Sequence, residues 1–303
     1  MNSFFGKILH QAMRLVFKNF KLVFLLWGLN FLFAFVLTVP LYILLANNIG
    51  HSVVSEDLML GFDYVWYIQF RNIYQTSLDN MPLLLYSIVG IYVLIQTFFL
   101  GGLIAVFNYP KKNHIVDFFY GGVTYWLRFM KIVLVALIFF ALAFLINDLL
   151  GDAISWLFFR NENLWADFIL RSLRYIILLF LIGVVTMISD YAKVYMAIED
   201  EHKLIPAINA TLIFIKQNFN IVFSIFLFVA VIGAAGSVIY NLMGSKIPRV
   251  PFYFLIISFV LQQMLIIFRL LVRMLFTSSE VLVYKDLSAD IVSAEVQEQR
   301  VGV

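Results

Sequence analysis

Six apolar runs dominate this chain, and they constrain its fold more than any other feature. Leu22 to Ala46 and Leu83 to Phe107 hold no charged side chain. Ile132 to Asn147 lies between Lys131 and Asp148, and Tyr175 to Ser189 between Arg174 and Asp190. Ile221 to Met243 is bounded by Lys216 and Lys246, and Val250 to Phe268 by Arg249 and Arg269. A hydrocarbon core about 30 Å thick takes roughly 20 residues of helix. In lipid the backbone must satisfy its own polar groups, so each run is expected to be a helix. Barrel strands would be shorter and would alternate polar with apolar, which these runs do not. Of the 303 residues 63% are hydrophobic and 13% charged, against about half and a quarter in a soluble domain. That balance excludes a water-soluble fold and a disordered chain. The lack of cysteine excludes a disulfide scaffold and any cysteine-ligated metal. The expected fold class is all-α: an integral membrane bundle of six transmembrane helices arranged as three hairpins.

The first run is longer than the apolar core of a secretory signal and follows an already patterned leader, so it is expected to remain as a span. Pro40 is expected to kink it, which neighbouring helices tolerate in lipid. Orientation follows from lysine and arginine. With both ends in the cytoplasm, Lys7, Arg14, Lys18, Lys21, Lys111, Lys112, Arg128, Lys131, Lys193, Lys203, Lys216, Arg269, Arg273, Lys285 and Arg300 lie inside. Only Arg71, Arg160, Arg171, Arg174, Lys246 and Arg249 lie outside. The expectation is a multi-pass protein of a cell membrane with cytoplasmic termini.

Each odd-numbered span is preceded by a segment patterned as an amphipathic helix on the membrane surface. Lys7, Gln11, Arg14, Lys18 and Lys21 recur at steps of three and four, while Phe5, Ile8, Ala12, Leu15 and Val16 fall on other faces. His114, Asp117, Gly121, Thr124, Arg128 and Lys131 make a second stripe, beside Phe118, Phe119, Trp126 and Phe129. The third is weaker: Pro206 suits a first turn, and Asn209, Lys216 and Asn220 are polar, but Ile213 interrupts them. The junctions into the spans also match. Asn19-Phe20-Lys21-Leu22-Val23-Phe24 resembles Asn218-Phe219-Asn220-Ile221-Val222-Phe223, with Arg128-Phe129-Met130-Lys131-Ile132-Val133 a looser copy. One account is a repeat over 1–107, 108–200 and 201–276 within a single transmembrane domain, 1–276. The other is convergence of basic and aromatic residues at an interface. A polar cytoplasmic tail is expected over 277–303, mobile from Ser288 onward.

The first outer loop, Asn47 to Asn80, carries Tyr64, Trp66, Tyr67, Phe70 and Tyr74 and is suited to the outer interface. Gly151 to Phe168 is shorter, and Gly244 to Pro251 is a tight turn. Of the histidines His10, His51, His114 and His202, none has a metal-binding spacing. No nucleophile elbow or phosphate-binding glycine loop is present. Gly121-Gly122 is read as a close-packing site. No metal, cofactor or nucleic-acid partner is expected, and no catalytic residue. A membrane-embedded hydrolase, using His51 with Glu56 and Asp57, is the weakest alternative.

Few polar groups fall inside the runs, notably Asn30, Gln96, Thr97, Thr186, Asn241, Gln262 and Gln263. Two accounts apply, interhelical hydrogen bonding or a polar path for a solute, with Asn30, Gln96, Asp190, Gln262, Gln263 and Arg269 as the set in question. Gly233 to Ser237 is the fifth run's close-packing surface. The third and fourth uncharged runs are short, about 22–24 Å at 1.5 Å per residue, so the flanking charges snorkel or the bilayer thins. Asp148 is placed to meet Arg171 or Arg174, and Asp190 to meet Lys193 or Arg269. Basic residues near an anionic leaflet contribute about 1 kcal/mol each. Lys7, Arg14, Lys18, Lys21, Lys111, Lys112, Arg128 and Lys131 are therefore the candidate lipid-headgroup residues, unless they serve anchoring and orientation alone.

Asp117-Phe118-Phe119-Tyr120-Gly121-Gly122, continuing to Tyr125-Trp126-Leu127-Arg128-Phe129, resembles a signature of bacterial six-helix membrane proteins. So does Asp190-Tyr191-Ala192-Lys193, followed by Glu199-Asp200 and Pro206-Ala207-Ile208, although Lys193 stands where arginine is expected. These proteins are similar to the membrane domain attached to some glycerophosphodiester phosphodiesterases. The resemblance implies a bacterial inner-membrane protein; without a recognisable phosphodiesterase domain it implies no such activity. The expected function is a non-enzymatic membrane component engaging lipids, partner proteins or further copies of itself. The alternative is a channel or permease for a small solute.

Overall fold

The computed structural model describes residues 2–49, 63–108, 114–158, 164–248 and 253–301. Among these residues there is no strand. The helices are α1 (Asn2–Lys18), α2 (Lys21–Ile49), α3 (Tyr64–Ile73), α4 (Gln75–Asn108), α5 (His114–Leu157), α6 (Leu164–Ile198), α7 (Leu204–Gln217), α8 (Phe219–Gly244) and α9 (Tyr253–Val301). Six contain stretches long and apolar enough to cross a membrane: α2, α4, α5, α6, α8 and α9. Each corresponds to one of the six runs read from the sequence. α2 passes through Pro40 as one continuous helix.

The third and fourth runs are short, but their helices are not. α5 has 44 residues and α6 has 35, which at 1.5 Å per residue is about 66 and 52 Å. Lys131, Asp148 and Asp152 lie within α5 rather than at its ends. Charge interrupts hydropathy without interrupting the backbone hydrogen-bond ladder, so the uncharged run underestimates the helix. For the same reason α9 does not stop at Arg273. Thr277, Ser278, Ser279, Glu280, Val281 and Val283, expected to open a polar tail, are helical and buried.

Many large apolar side chains on these helices face outward. Phe35, Tyr42 and Ile43 on α2, Leu145 and Leu149 on α5, and Phe168, Ile169 and Ile176 on α6 are exposed. In α6 none of the most apolar 18-residue stretch is buried. Water does not tolerate apolar surface on this scale, whereas a bilayer matches it. The six helices are therefore consistent with a multi-pass membrane protein.

Two of the three matching junctions break the helix in the same way. At the end of α1 the Asn19 side-chain amide donates to the Leu15 carbonyl at 2.9 Å, and α2 begins two residues later. At the end of α7 the Asn218 amide donates to Phe214 at 3.1 Å, and α8 follows at once. Phe20 packs on Phe24 and Phe219 on Phe223, with centroids 5.5 and 5.3 Å apart. Ile8, Ala12 and Val16 are buried on α1, and Ala207, Thr211 and Ile215 occupy the matching buried positions on α7. Asparagine ends a helix because its amide competes for the carbonyls the last turn leaves open. In the looser copy Arg128 holds that position and reaches Asp200 instead. There the expected second surface helix and the third span are one helix, α5. Replacing Asn19 or Asn218 with alanine is expected to destabilise the protein by about 1 kcal/mol each, read as a lowered unfolding midpoint in detergent. Unchanged midpoints would mean the side-chain bonds contribute nothing to the breaks.

By its internal contacts the chain divides into two compact units. The first comprises Met1–Ala12, Leu100–Phe226 and Phe276–Val303. Its interior includes Phe118, Phe129, Tyr191 and Met196, all essentially inaccessible. α4 and α5 meet at glycines, Gly101-Gly102 against Gly121-Gly122, as the sequence reading of Gly121-Gly122 anticipated. Lys285 of α9 donates to the carbonyl of Asn108, the last residue of α4, where a cation also complements the helix dipole. The second unit comprises Met13–Phe99 and Leu227–Leu275. In it Gly236 of α8 leaves room for the Phe268 ring, and Gly233 for Val272. α3 begins at Asp63, whose carboxylate accepts from the Val65 and Trp66 amides at 2.8 and 3.2 Å. Trp66 stacks on Phe70, whose ring also meets Tyr74 just past the end of α3, and Phe70 is buried.

Candidate functional site

Besides the turn at Asp200, three groups of polar residues emerge. The first is the outward face of α1. Lys7, Gln11, Arg14 and Lys18 are exposed, as is Lys21 at the start of α2, while Ile8, Ala12 and Val16 opposite them are buried. The Ala12 carbonyl accepts from the Ser278 hydroxyl at 3.4 Å, fixing which side of α1 faces inward. Phe17 is 66% exposed beside the basic stripe. The second stripe does not match it. Gly121 is buried, and the Arg128 side chain is only 13% exposed and pairs with Asp200 at 2.6 Å. Lys131 is exposed, whereas Lys111 and Lys112 lie outside the described residues. His51, Glu56 and Asp57 also lie outside them.

Asp200 is where α6 has ended and the chain turns toward α7. Its φ of 52° is left-handed, a conformation aspartate tolerates better than most residues. Arg128 and His202 surround it, with Arg128 3.0 Å from the His202 ring. The Arg128 guanidinium holds the Asp200 carboxyl below the usual carboxylate range. Glu201 is held low as well, by the backbone amides of Lys203 and His202, each donating at 2.9 Å. The turn is further tied by Tyr125, which donates to the Ala197 carbonyl, and by Tyr284, which donates to Glu199.

The second group lies in the first unit. Lys193 donates to Asp190 at 2.8 Å, and its side chain is 8% exposed. Of the partners the sequence allowed for Asp190, the structure selects Lys193. Glu280 of α9 stands within electrostatic range of both. It is 5% exposed, and its Oε1 has no hydrogen-bond partner among the described residues. At the other end of α6, Arg171 pairs with Asp167 instead of Asp148. Arg174 lies on the Tyr175 ring and against Gly151, so neither arginine takes the expected partner. Arg171 is four residues from Asp167 on one helix, the spacing that favours such a pair.

The third group lies in the second unit, on α2, α4 and α9. The Tyr92 hydroxyl donates to Asn30 Oδ1 at 2.6 Å, and the Gln96 amide reaches the same oxygen at 3.3 Å. Gln96 in turn accepts from Arg273, whose second nitrogen approaches the Gln96 backbone carbonyl at 3.5 Å. Arg269, one turn earlier on α9, is exposed and reaches the Ser237 hydroxyl at 3.4 Å. Asn30, Tyr92, Arg269 and Arg273 line a cavity of about 530 Å³, within the size range of small-molecule sites. Of the candidate polar set, Asn30 and Gln96 are brought together and Arg269 lines the same cavity. Gln263 bonds Trp27 at 2.9 Å, Gln262 is exposed, and Asp190 belongs to the other unit. Tyr92 and Arg273 were not singled out from sequence. Their signal was helical spacing, four residues from Gln96 and from Arg269 respectively.

Among the described residues no group of three or more histidine, aspartate or glutamate side chains is placed to hold a metal ion. Comparisons with protein-family models, with curated proteins and with solved structures found no match to this chain.

Proposed function

We propose that this chain is a non-enzymatic, multi-pass component of a bacterial inner membrane that engages anionic lipids. In this reading six spans form three hairpins, the termini are cytoplasmic, and α1 and α7 lie along the cytoplasmic surface. One observation carries it: α1 buries Ile8, Ala12 and Val16 and presents Lys7, Arg14 and Lys18 on an exposed face. A helix so divided, leading within two residues into a spanning-length helix, suits an anionic headgroup layer. Exposed Phe17 and Met13 on the same helix suit the apolar boundary below it. The resemblance to the phosphodiesterase membrane domain supports the same setting. Partner proteins or further copies of the chain are compatible with it and are not needed for it.

The permease alternative has less support. Of its polar residues, Gln263 is held by Trp27, and Asn30 by Tyr92 and Gln96.

The test is lipid selectivity. In nanodiscs of mixed phosphatidylglycerol and phosphatidylcholine, the wild type is expected to enrich the anionic lipid around itself. Reversing Arg14 and Lys18 to glutamate removes about 1 kcal/mol per basic residue, so enrichment should fall several-fold. Equal enrichment in variant and wild type would overturn the proposal.

A further inference from the structure

The cavity of the second unit is polar at one end and apolar at the other. Asn30, Tyr92 and Gln96 meet through hydrogen bonds, and Arg273 joins them at Gln96. Leu37 lies seven residues beyond Asn30 on α2, about 10 Å along the axis. Ile88 lies one turn beyond Tyr92 on α4, in the direction away from Gln96. Both line the same cavity. The Phe33 ring, edge-on to Tyr92 at 5.4 Å, forms the wall between the two ends.

The charge of this cavity is one-sided. Two guanidinium groups line it and no carboxylate does. Arg269 pairs with no carboxylate among the described residues and is exposed, although it lies on a helix apolar enough to span. An arginine at such a place is costly unless a counter-charge meets it. Guanidinium is planar and always charged, and its fork matches phosphate oxygens in pairs. The amide of Asn30 and the hydroxyl of Tyr92 add neutral polar groups at the same end, while the opposite end offers only hydrocarbon.

We propose that this cavity holds one anionic phospholipid, its phosphate on Arg269 with the Gln96-bound Arg273 one turn away, and its glycerol and first acyl carbons along Leu37 and Ile88. The proposal rests on the lipid-engaging reading above but on different residues. α1 would face the headgroup layer in bulk, whereas the cavity would select a single molecule.

Native mass spectrometry of the full chain in detergent tests this directly. The probes are short-chain phosphatidylglycerol, a diacylglycerol of the same chain length, and glycerol 3-phosphate. The wild type is expected to retain one phosphatidylglycerol. R269Q should bind it at least tenfold more weakly, and L37W, which fills the apolar end without touching charge, at least threefold more weakly. An unfolding midpoint measured for each variant separates lost binding from lost fold, and L37W keeps the test open if R269Q does not fold. The double variant R14E/K18E should retain this one lipid while losing bulk enrichment, so the two proposals fail separately. Equal binding by wild type, R269Q and L37W would overturn the site. Diacylglycerol binding as tightly as phosphatidylglycerol would remove the phosphate from it. Glycerol 3-phosphate binding as tightly would make it a site for a free anion and overturn the assignment to a lipid.

Discussion

Alanine at Gly102 is expected to destabilise the folded protein by about 2–3 kcal/mol, the upper part of the range for overpacking a close contact. A methyl group there would stand 2.5 Å from the Phe118 carbonyl oxygen and 2.7 and 2.9 Å from its ring. A ring can rotate, but a backbone carbonyl moves only if α5 moves. The crossing is close from both sides. A Cβ on Gly121 would run into Ala105 and stand 3.0 Å from the Gly101 carbonyl. In an open helix the same change would be favourable by up to about 1 kcal/mol, so the measured loss is net of that gain. Gly90 supplies the control. It lies on the same helix with nothing within 4 Å of its Cβ position, and G90A should be neutral or stabilising. Unfolding midpoints in detergent compare the two. If G102A unfolds where G90A does, the helices do not approach this closely.

The contrast between Gly90 and Gly102 also shows what sequence could and could not supply. Six long apolar helices were legible because hydropathy is a property of composition, and every run became a helix of spanning length. The small-residue surfaces at Gly121-Gly122 and Gly233 to Ser237 were legible because only small side chains admit a close crossing. Helix length was not, because Asp148 and Asp152 interrupt hydropathy but not the α5 backbone. The buried stretch from Thr277 to Tyr284 escaped for a related reason. Three hydroxyl side chains and a glutamate look like a polar tail, yet Ser279 bonds its own helix at the Phe276 carbonyl and so can be buried. The cavity was half legible. Asn30, Gln96 and Arg269 stood out as polar residues in or beside apolar runs. Tyr92 did not stand out and Arg273 counted only as an inner charge, and their convergence depends on how α2, α4 and α9 pack, which periodicity does not encode.

Methionine at Lys193 is expected to have the largest effect of any single substitution, about 3 kcal/mol of lost stability, the low end of what removing one partner of a buried ion pair costs. The low end applies because the Asp190 side chain keeps 25% of its surface exposed and water screens it in part. The lysine faces more than one acidic side chain. It donates to Asp190 at 2.8 Å and also stands within range of Glu280, which is buried with an unpartnered carboxylate oxygen. Without Lys193 the Asp190 carboxylate loses the cation that compensates its partial burial, and Tyr191, fully buried beside it, brings no charge to replace it. Replacing the partners together should cost less than removing one. K193M/D190N is therefore expected to recover at least half of the loss, and K193M/D190N/E280Q more. The double-mutant cycle reads this directly, because additive losses would indicate no coupling between the pair. Should K193M unfold at the wild-type midpoint, the cluster would not be the compensated ion group that its distances and burial describe.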